Sequence, residues 1–358
     1  MRLSRALLLL ALLVPAVATP ALLRAQDAPS ADAPPVSDAP DTQDTNGQNA
    51  ITTLKVSSNL VSLFFTVRDK HNGLVPTLTK NDCNIYEDRV QQTIKDFSTV
   101  SDLPLTIGIL LDTSGSQMNV LPMEQQTGAE FLKQMLKPKD EAFLISFDVN
   151  VNLLADYTSS AAQLTRAMDK ATINTGGGSG GVPGIGQGPI PQSGAPKGTL
   201  LYDAVYLAAH DKLRQETGRK VLILLTDGQD EGSEEKLSQA VEDAQKANAI
   251  IYVLLIADRG FYSNGGINLG GFTGDSAMHK LAGDTGGRVI DVGNNGKKME
   301  AAFAQIEEEL RTQYLASYTP LNTKLDGGYR TIQIQCKGDG LKVQARKGYY
   351  AMPSDDTN

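Results

Sequence analysis

The chain has 358 residues with 41 acidic and 33 basic side chains, which gives a formal net charge of −8 at pH 7. This length is enough for two domains, and an acidic chain without a basic cluster argues against nucleic-acid binding. Two cysteines are present, and in an exported chain an even pair raises the chance of a disulfide.

Residues 1–25 have the pattern of a signal peptide. Arg2 and Arg5 give a basic start, residues 6–14 form an apolar run, and the small residues 16–18 provide a cleavage site. The run is too short for a stable membrane span, although an uncleaved N-terminal anchor is the alternative. No cysteine follows the run, which argues against a lipoprotein. We therefore expect a protein that is exported, to a periplasm or outside the cell.

Residues 26–50 are predicted to be a disordered linker. Asp, Pro, Ala, Thr, Gln and Asn dominate this segment, and it has almost no large apolar side chains to bury. No later stretch is long and apolar enough to cross a bilayer, so we expect no transmembrane helix in the mature chain.

Residues 51–102 read as an N-terminal β segment. Strands are expected at residues 54–68, 74–78, 83–87 and 91–97. The Asp-Lys-His-Asn-Gly sequence at residues 69–73 is a turn between the first two. The segment has no helical periodicity of useful length and looks incomplete by itself.

Residues 103–313 alternate between apolar strands and helices. The predicted strands are residues 105–111, 141–147, 151–154, 220–225, 250–256 and 287–291. A helical segment is expected from just after Ser116 to about Leu136, and further helices at residues 160–171, 199–217, 233–247, 276–285 and 296–313. This alternation predicts a Rossmann-like α/β fold, with a mostly parallel central sheet covered by helices on both sides.

Two glycine-rich segments, residues 175–198 and 261–274, interrupt the α/β pattern. The first lacks the Lys-Ser/Thr ending of a phosphate-binding loop. It is expected to be a surface loop, with a lid or specificity loop as the alternative because it leads directly into Thr199.

Residues 314–351 return to β character without helices to cover them, and residues 352–358 form a tail. The simplest arrangement is that this C-terminal β segment packs with residues 51–102 as a small β-sandwich into which the α/β domain is inserted. Cys83 and Cys336 both lie on apparently inward strand faces. They either form a bridge between the two flanks or remain two buried free thiols.

Small oxygen-bearing residues follow the buried strands of the α/β region. Asp112, Ser114 and Ser116 come directly after the first strand, and Asp227 ends a later one. Because ligands bind at the carboxyl edge of open α/β sheets, these side chains are expected to meet there, and Thr199 is placed to reach the same point. No His or Cys is near in sequence. Oxygen ligands of this kind suit Mg²⁺, with Mn²⁺ or Ca²⁺ as alternatives.

The pattern Asp112-Thr113-Ser114-Gly115-Ser116, followed by Thr199 and then Asp227, resembles the metal-ion-dependent adhesion site (MIDAS) of the von Willebrand factor A (VWA) domain. The flanking sequences also resemble a bacterial exported subfamily of VWA-related proteins found in Acidobacteria. The resemblance implies that Ser114 and Ser116 bind the metal directly. It implies that Asp112 and Asp227 bind the metal directly or through water molecules, and that Thr199 binds the metal directly when an external ligand is bound.

The resemblance implies a binding or adhesion protein rather than an enzyme. Neutral hydroxyl ligands leave the cation under-neutralised, so it seeks a carboxylate from a protein or an extracellular polymer. Taken singly, Asp112, Ser114 and Asp227 are also plausible helix caps. A phosphatase-like or hydrolase-like enzyme using Asp112 or Ser114 is disfavoured because neither residue has its activating partner in the sequence. A subunit of an ATP-driven metal-insertion machine is disfavoured by the export signal, and an accessory subunit of an envelope assembly complex is the remaining alternative.

Overall fold

The computed structural model describes residues 60–100, 103–174, 198–256 and 273–353. The predicted signal peptide and linker, the start of the N-terminal β segment, most of both glycine-rich segments and the end of the tail lie outside these ranges. None of the helices within them has the length and apolar character needed to cross a membrane.

The strands in chain order are β1 (Val61–Arg68), β2 (Cys83–Glu87), β3 (Val90–Gln92), β4 (Ile94–Thr99), β5 (Leu105–Asp112), β6 (Glu141–Phe147), β7 (Val151–Thr158), β8 (Arg219–Thr226), β9 (Ala249–Leu255), β10 (Val289–Asp291), β11 (Tyr314–Tyr318), β12 (Tyr329–Cys336), β13 (Lys342–Ala345) and β14 (Gly348–Tyr350). The helices are α1 (Leu121–Met135), α2 (Ala161–Met168), α3 (Leu201–Tyr206), α4 (Leu237–Lys246), α5 (Thr273–Thr285) and α6 (Gly296–Arg311). Helix α3 continues as a π-helical segment at Leu207–Leu213.

A six-stranded sheet with the order β10-β9-β8-β5-β6-β7 forms the centre of the α/β region. Neighbouring strands are parallel except for β6 and β7, which pair antiparallel at one edge. Every residue of β5, β8 and β9 is buried, as the unbroken apolar runs in their sequences indicate. The prediction of a mostly parallel α/β sheet is confirmed.

Helices cover both faces of this sheet. Side chains alternate between the faces of each strand, so Ile107 and Ile109 of β5 join a core cluster with residues of α1, α2 and α6. On the opposite face, Leu222 and Leu224 of β8 join a second cluster with residues of α3, α4 and α5.

Two further four-stranded sheets combine strands from the two ends of the described chain. Their strand orders are β13-β1-β11-β4 and β14-β12-β2-β3. Strand β1 pairs antiparallel with β11, and β2 pairs antiparallel with β12, so each sheet joins a segment before the α/β region to one after it. Leu63, Ile85 and Ile334 from these sheets belong to one hydrophobic cluster, separate from the two clusters of the α/β region.

A disulfide bond links the two flanks. Cys83 of β2 and Cys336 of β12 are directly opposite each other in the antiparallel pair, and their sulfur atoms are 2.02 Å apart. The structure therefore confirms the bridge and excludes the alternative of two free thiols.

A buried charge cluster joins α6 to the flanking strands. Glu309 of α6 is fully buried and pairs with Arg68 of β1 and with Arg288. Its other carboxylate oxygen accepts hydrogen bonds from Tyr252 Oη at 3.2 Å and Gln344 Nε2 at 3.4 Å. Removing one member of such a group leaves a buried charge without compensation, so this cluster fixes the last helix against the flanks.

The predicted strand at residues 74–78 is wrong. Only Leu74 forms an isolated bridge, with Arg68. The backbone that follows is bound by a tyrosine, because the Tyr314 hydroxyl donates to the Val75 carbonyl at 2.6 Å and accepts from the Leu78 N–H at 2.8 Å. The side-chain hydroxyl thus satisfies backbone groups that a sheet neighbour would otherwise bind.

We predict that replacing both bridge residues, Cys83→Ala with Cys336→Ala, lowers the free energy of unfolding by about 4–5 kcal/mol. The bridge closes a loop with a sequence separation of 253, and the chain-entropy model assigns a large effect to so long a loop. Urea denaturation followed by circular dichroism measures the change. The reduced wild-type protein is the matched control and should unfold at the same urea concentration as the double variant. An unchanged midpoint in the double variant would contradict the prediction.

Candidate metal centre

Three adjacent strands of the central sheet carry an aspartate at their carboxyl ends. Asp112 is the last residue of β5, Asp148 directly follows β6, and Asp227 directly follows β8. The three strands are neighbours and parallel, so their ends meet at one edge. All three aspartates are buried. This edge is where ligands bind in open α/β sheets.

Each of these aspartates organises the turn that follows it. One carboxylate oxygen accepts a hydrogen bond from the backbone N–H two residues further on, which is the geometry of an Asx turn. The three bonds, each 3.0 Å long, are Ser114 N to Asp112 Oδ1, Asn150 N to Asp148 Oδ1 and Gln229 N to Asp227 Oδ1. The loops at this edge are therefore shaped by their own acidic side chains.

The two predicted serine ligands lie together beside Asp112. Ser114 and Ser116 belong to a short 3-10 turn at Gly115–Gln117 and its first flanking residue, and their hydroxyl oxygens are 3.0 Å apart. The Ser114 side chain makes no capping hydrogen bond, and α1 begins only at Leu121. The helix-cap interpretation of Ser114 is therefore not supported.

Thr226, at the end of β8, links Asp112 to the turn that follows β8. Its hydroxyl donates to Asp112 Oδ2 at 2.7 Å and accepts from the Gly228 N–H at 3.0 Å. The second oxygen of Asp112 is thus oriented by the neighbouring strand.

Thr199 lies between the loop that follows β8 and the loop that follows β6. Its backbone N–H donates to the Glu231 carbonyl at 2.9 Å, and its carbonyl accepts from the Glu231 N–H at 3.0 Å. The next residue, Leu200, donates its N–H to the Asp148 carbonyl at 2.8 Å. Thr199 is buried and is held by backbone bonds to segments that follow β8 and β6.

Asp148 connects the loop of the serines with the loop of Thr199. Its Oδ2 accepts a hydrogen bond from the Thr113 hydroxyl at 2.8 Å, and its Oδ1 accepts from Asn174 Nδ2 at 3.0 Å. Together with the bond from Leu200 to its carbonyl, these contacts make Asp148 the common partner of three segments. It holds the predicted ligands in place without being one of them.

The electrostatics of this edge are those of buried acids close to one another. Loss of hydration, followed by the negative charge of Asp227, raises the pKa of Asp112 well above its usual range. Glu124 of α1 is fully buried, and burial followed by the charges of Asp112 and Asp227 raises its pKa as well. Neither carboxylate oxygen of Glu124 has a hydrogen-bond partner.

These residues fit a hard divalent cation. Carboxylates that repel each other and a buried carboxylate without a partner are stabilised by a nearby positive charge. The hydroxyls of Ser114 and Ser116 supply further oxygen donors of the type that Mg²⁺ and Ca²⁺ take. Within the described residues, no group of three or more His, Cys, Asp or Glu side chains is arranged to hold a metal ion. The assignment of Asp112, Ser114, Ser116, Thr199 and Asp227 as the ligands stays a prediction.

Sequence reasoning missed several residues of this edge. Asp230 is one of them, and its Oδ1 accepts from the Tyr202 N–H at 3.2 Å and the Ser233 hydroxyl at 2.6 Å. Asp148 and Glu124 were not singled out. For Glu124 a signal existed, because it is an acidic residue in the apolar stripe of α1.

No protein-family model matches the sequence, and no curated protein matches it. Among solved structures, the chain is similar to the conserved hypothetical protein BatB from Bacteroides thetaiotaomicron, with 18% identity and a TM-score of 0.42 over 57% of this chain and 98% of that chain. It is also similar to proximal thread matrix protein 1 from the mussel byssus with a zinc-occupied MIDAS motif, with 18% identity and a TM-score of 0.44 over 62% of this chain and 49% of that chain. A third similar structure is the PilB minor pilin from Streptococcus sanguinis, with 11% identity and a TM-score of 0.40 over 59% of this chain and 62% of that chain. All three TM-scores are below 0.5, so the assignment of the fold rests on the strand order of this chain.

We predict that Asp148→Ala weakens Mg²⁺ binding on the order of 10- to 100-fold, which is the range for residues that orient metal ligands through hydrogen bonds. The substitution removes the acceptor of the Thr113 and Asn174 side chains and so loosens the serine loop. Isothermal titration calorimetry measures the affinity. The matched control is Asp169→Ala, at the exposed end of α2, which should bind as the wild type does. Equal affinity of the Asp148 variant and the control would contradict the prediction.

Proposed function

We propose that residues 103–313 are a VWA domain whose MIDAS binds a divalent cation, with Mg²⁺ as the first candidate and Mn²⁺ or Ca²⁺ as alternatives. The observation that supports the proposal is that Asp112 and Asp227 lie at the carboxyl ends of two neighbouring parallel strands, with the Ser114 and Ser116 hydroxyls 3.0 Å apart in the loop after Asp112. Ser114 and Ser116 bind the cation directly. Asp112 and Asp227 hold it directly or through water, and Thr199 joins when a partner is bound.

The function that follows is metal-dependent capture of a partner through an acidic side chain. When bound, the cation supplies a Lewis-acid position that attracts an external carboxylate. The hydroxyls of Ser114 and Ser116 are neutral and so add no negative charge to the direct ligands of the cation, and Thr226 keeps Asp112 oriented by a hydrogen bond. The partner is a protein or an extracellular polymer, and the protein works in the periplasm or outside the cell. The Cys83–Cys336 bridge supports an oxidising compartment.

We propose that the rest of the chain presents this domain. Residues 1–25 are a signal peptide and residues 26–50 a linker, and residues 51–102 and 314–351 form a β-sandwich around the insertion point of the VWA domain, with a tail at residues 352–358. The pairing of β1 with β11 and of β2 with β12 supports this organisation. In this arrangement the MIDAS lies on the inserted domain, while the N-terminal and C-terminal β segments pair with each other.

We propose that the protein is not an enzyme. A serine nucleophile needs a base that a third group orients for proton transfer, and the Ser114 side chain is shared between the Ser116 hydroxyl at 3.0 Å and the carboxyl group of Asp112. Asp112 is engaged by Thr226 and by the backbone of Ser114. These contacts are suited to holding a cation and not to activating a nucleophile.

We predict that Asp112→Ala and Ser114→Ala each abolish Mg²⁺ binding and Mg²⁺-dependent capture of a partner from the cell envelope, while the fold is retained. The wild-type protein should capture the partner with Mg²⁺ and release it with EDTA. Calorimetry with Mg²⁺ and pull-down with and without EDTA measure the two effects. Ser98→Ala, at an exposed position of β4, is the matched control. Capture that persists in EDTA, or in the Asp112 variant, would refute the proposed function.

We predict that Thr199→Ala affects partner binding and Mg²⁺ binding to different extents. Because Thr199 joins the cation directly only when a partner is bound, its loss should weaken partner binding more than it weakens Mg²⁺ binding. The measurement is the ratio of the two affinities in variant and wild type. Equal losses in both affinities would show that Thr199 acts only on the metal.

A further inference from the structure

Glu124 is a buried acid on the core-facing side of α1. The buried residues of this helix that follow it at helical spacing are Gly128, Phe131, Leu132 and Met135. The Glu124 side chain is fully buried on this face. A charged side chain is almost never fully buried unless it is paired, so its position calls for an explanation.

The direction of the Glu124 side chain is set by the helix. Side chains on an α-helix lean towards its N-terminus, and the N-terminus of α1 lies at the carboxyl edge of the sheet, next to the serine loop. Backbone hydrogen bonds of 3.0 Å connect the two places, from Gln117 N to Ser114 O, from Val120 N to Gln117 O and from Glu124 N to Val120 O. The charges acting on Glu124 are those of Asp112 and Asp227. The carboxyl group of Glu124 is therefore within electrostatic range of two predicted ligands of the candidate metal centre.

Glu124 has no protein partner in this position. Neither of its carboxylate oxygens is hydrogen-bonded. An acid that only filled space in the core would still need a partner for its polar atoms, because a buried polar atom without one is destabilising. The side-chain amide of Gln117, also fully buried, has no partner either. Two polar groups beside the serine loop are thus unsatisfied by protein atoms alone.

We propose that Glu124 is a sixth residue of the metal centre, which accepts a hydrogen bond from a water bound to the cation. This inference rests on the proposed function. Ligands within one octahedral Mg²⁺ shell lie roughly 3 Å from each other, given metal–oxygen distances of about 2.1 Å. Glu124 makes no hydrogen bond to Ser114 or Ser116, so its proposed contact with the cation runs through a bound water and not through direct ligation. Mg²⁺ characteristically retains several such waters.

The role gives Glu124 opposite effects on the free and the metal-bound protein. In the metal-bound protein, its charge and its hydrogen bond stabilise the cation and its water. In the free protein, it is an uncompensated acid next to two others. Glu124→Gln keeps the shape of the side chain and removes the charge, so it separates this role from simple packing. Glu130→Gln, at an exposed position of the same helix, is the matched control.

The experiment measures Mg²⁺ affinity by calorimetry and the unfolding temperature in EDTA, for wild type and both variants. We expect Glu124→Gln to weaken Mg²⁺ binding on the order of 10- to 100-fold and to raise the unfolding temperature in EDTA by roughly 2–4 °C. The Glu130 variant should change neither quantity. A merely structural residue would give the opposite sign for the unfolding temperature.

Three other outcomes overturn the inference, and they are distinguishable. If Glu124→Gln binds Mg²⁺ with wild-type affinity, Glu124 does not contribute to metal binding. A lower unfolding temperature in EDTA identifies Glu124 as a packing residue, whatever the affinity. If the wild-type protein itself binds no Mg²⁺, Mn²⁺ or Ca²⁺, the proposed function fails and this inference fails with it.

Discussion

The candidate site depends on one constraint, which is that carboxylates buried close together are destabilised in their charged form unless a positive charge compensates them. Asp112, Asp227 and Glu124 are all buried at the carboxyl edge of the central sheet, and the first two act electrostatically on the third. Each ionised acid is destabilised by lost hydration and by its neighbours. A divalent cation bound at this edge would offset the repulsion between these acids, and the Ser114 and Ser116 hydroxyls are neutral oxygen ligands for it.

The fold creates this constraint through strand order. Placing β5 between β6 and β8 brings three strand-end aspartates to one edge, where Asp148 and Thr226 connect the loops by hydrogen bonds. Outside the α/β region, the Cys83–Cys336 bridge joins β2 to β12. The buried Glu309 cluster holds α6 against β1 through the ion pair with Arg68, and Glu309 also pairs with Arg288.

The sequence predicts the parts of this molecule that local pattern determines. The apolar runs of β5 and β8 and the Asp112-x-Ser114-x-Ser116 spacing are contiguous, so the sheet and the serine loop can be inferred directly. Asp148 and Glu124 escape such reasoning because their roles come from contacts between distant segments. The same holds for residues 74–78, where the Tyr314 hydroxyl replaces a strand neighbour, and for Asp230, whose partners lie on α3 and in its own turn. The pairing of Cys83 with Cys336 was one of two open alternatives until the register of β2 and β12 placed them opposite each other.

The central claim is that this buried edge binds a divalent cation through its hydroxyls and acids, and a crystal structure of the protein with Mn²⁺ tests it most directly. Anomalous scattering locates the metal independently of any assumption about its ligands. The account predicts one strong peak within bonding distance of the Ser114 and Ser116 hydroxyls, with Asp112 and Asp227 bound directly or through water. A peak elsewhere, or none at this edge at saturating Mn²⁺, would contradict it.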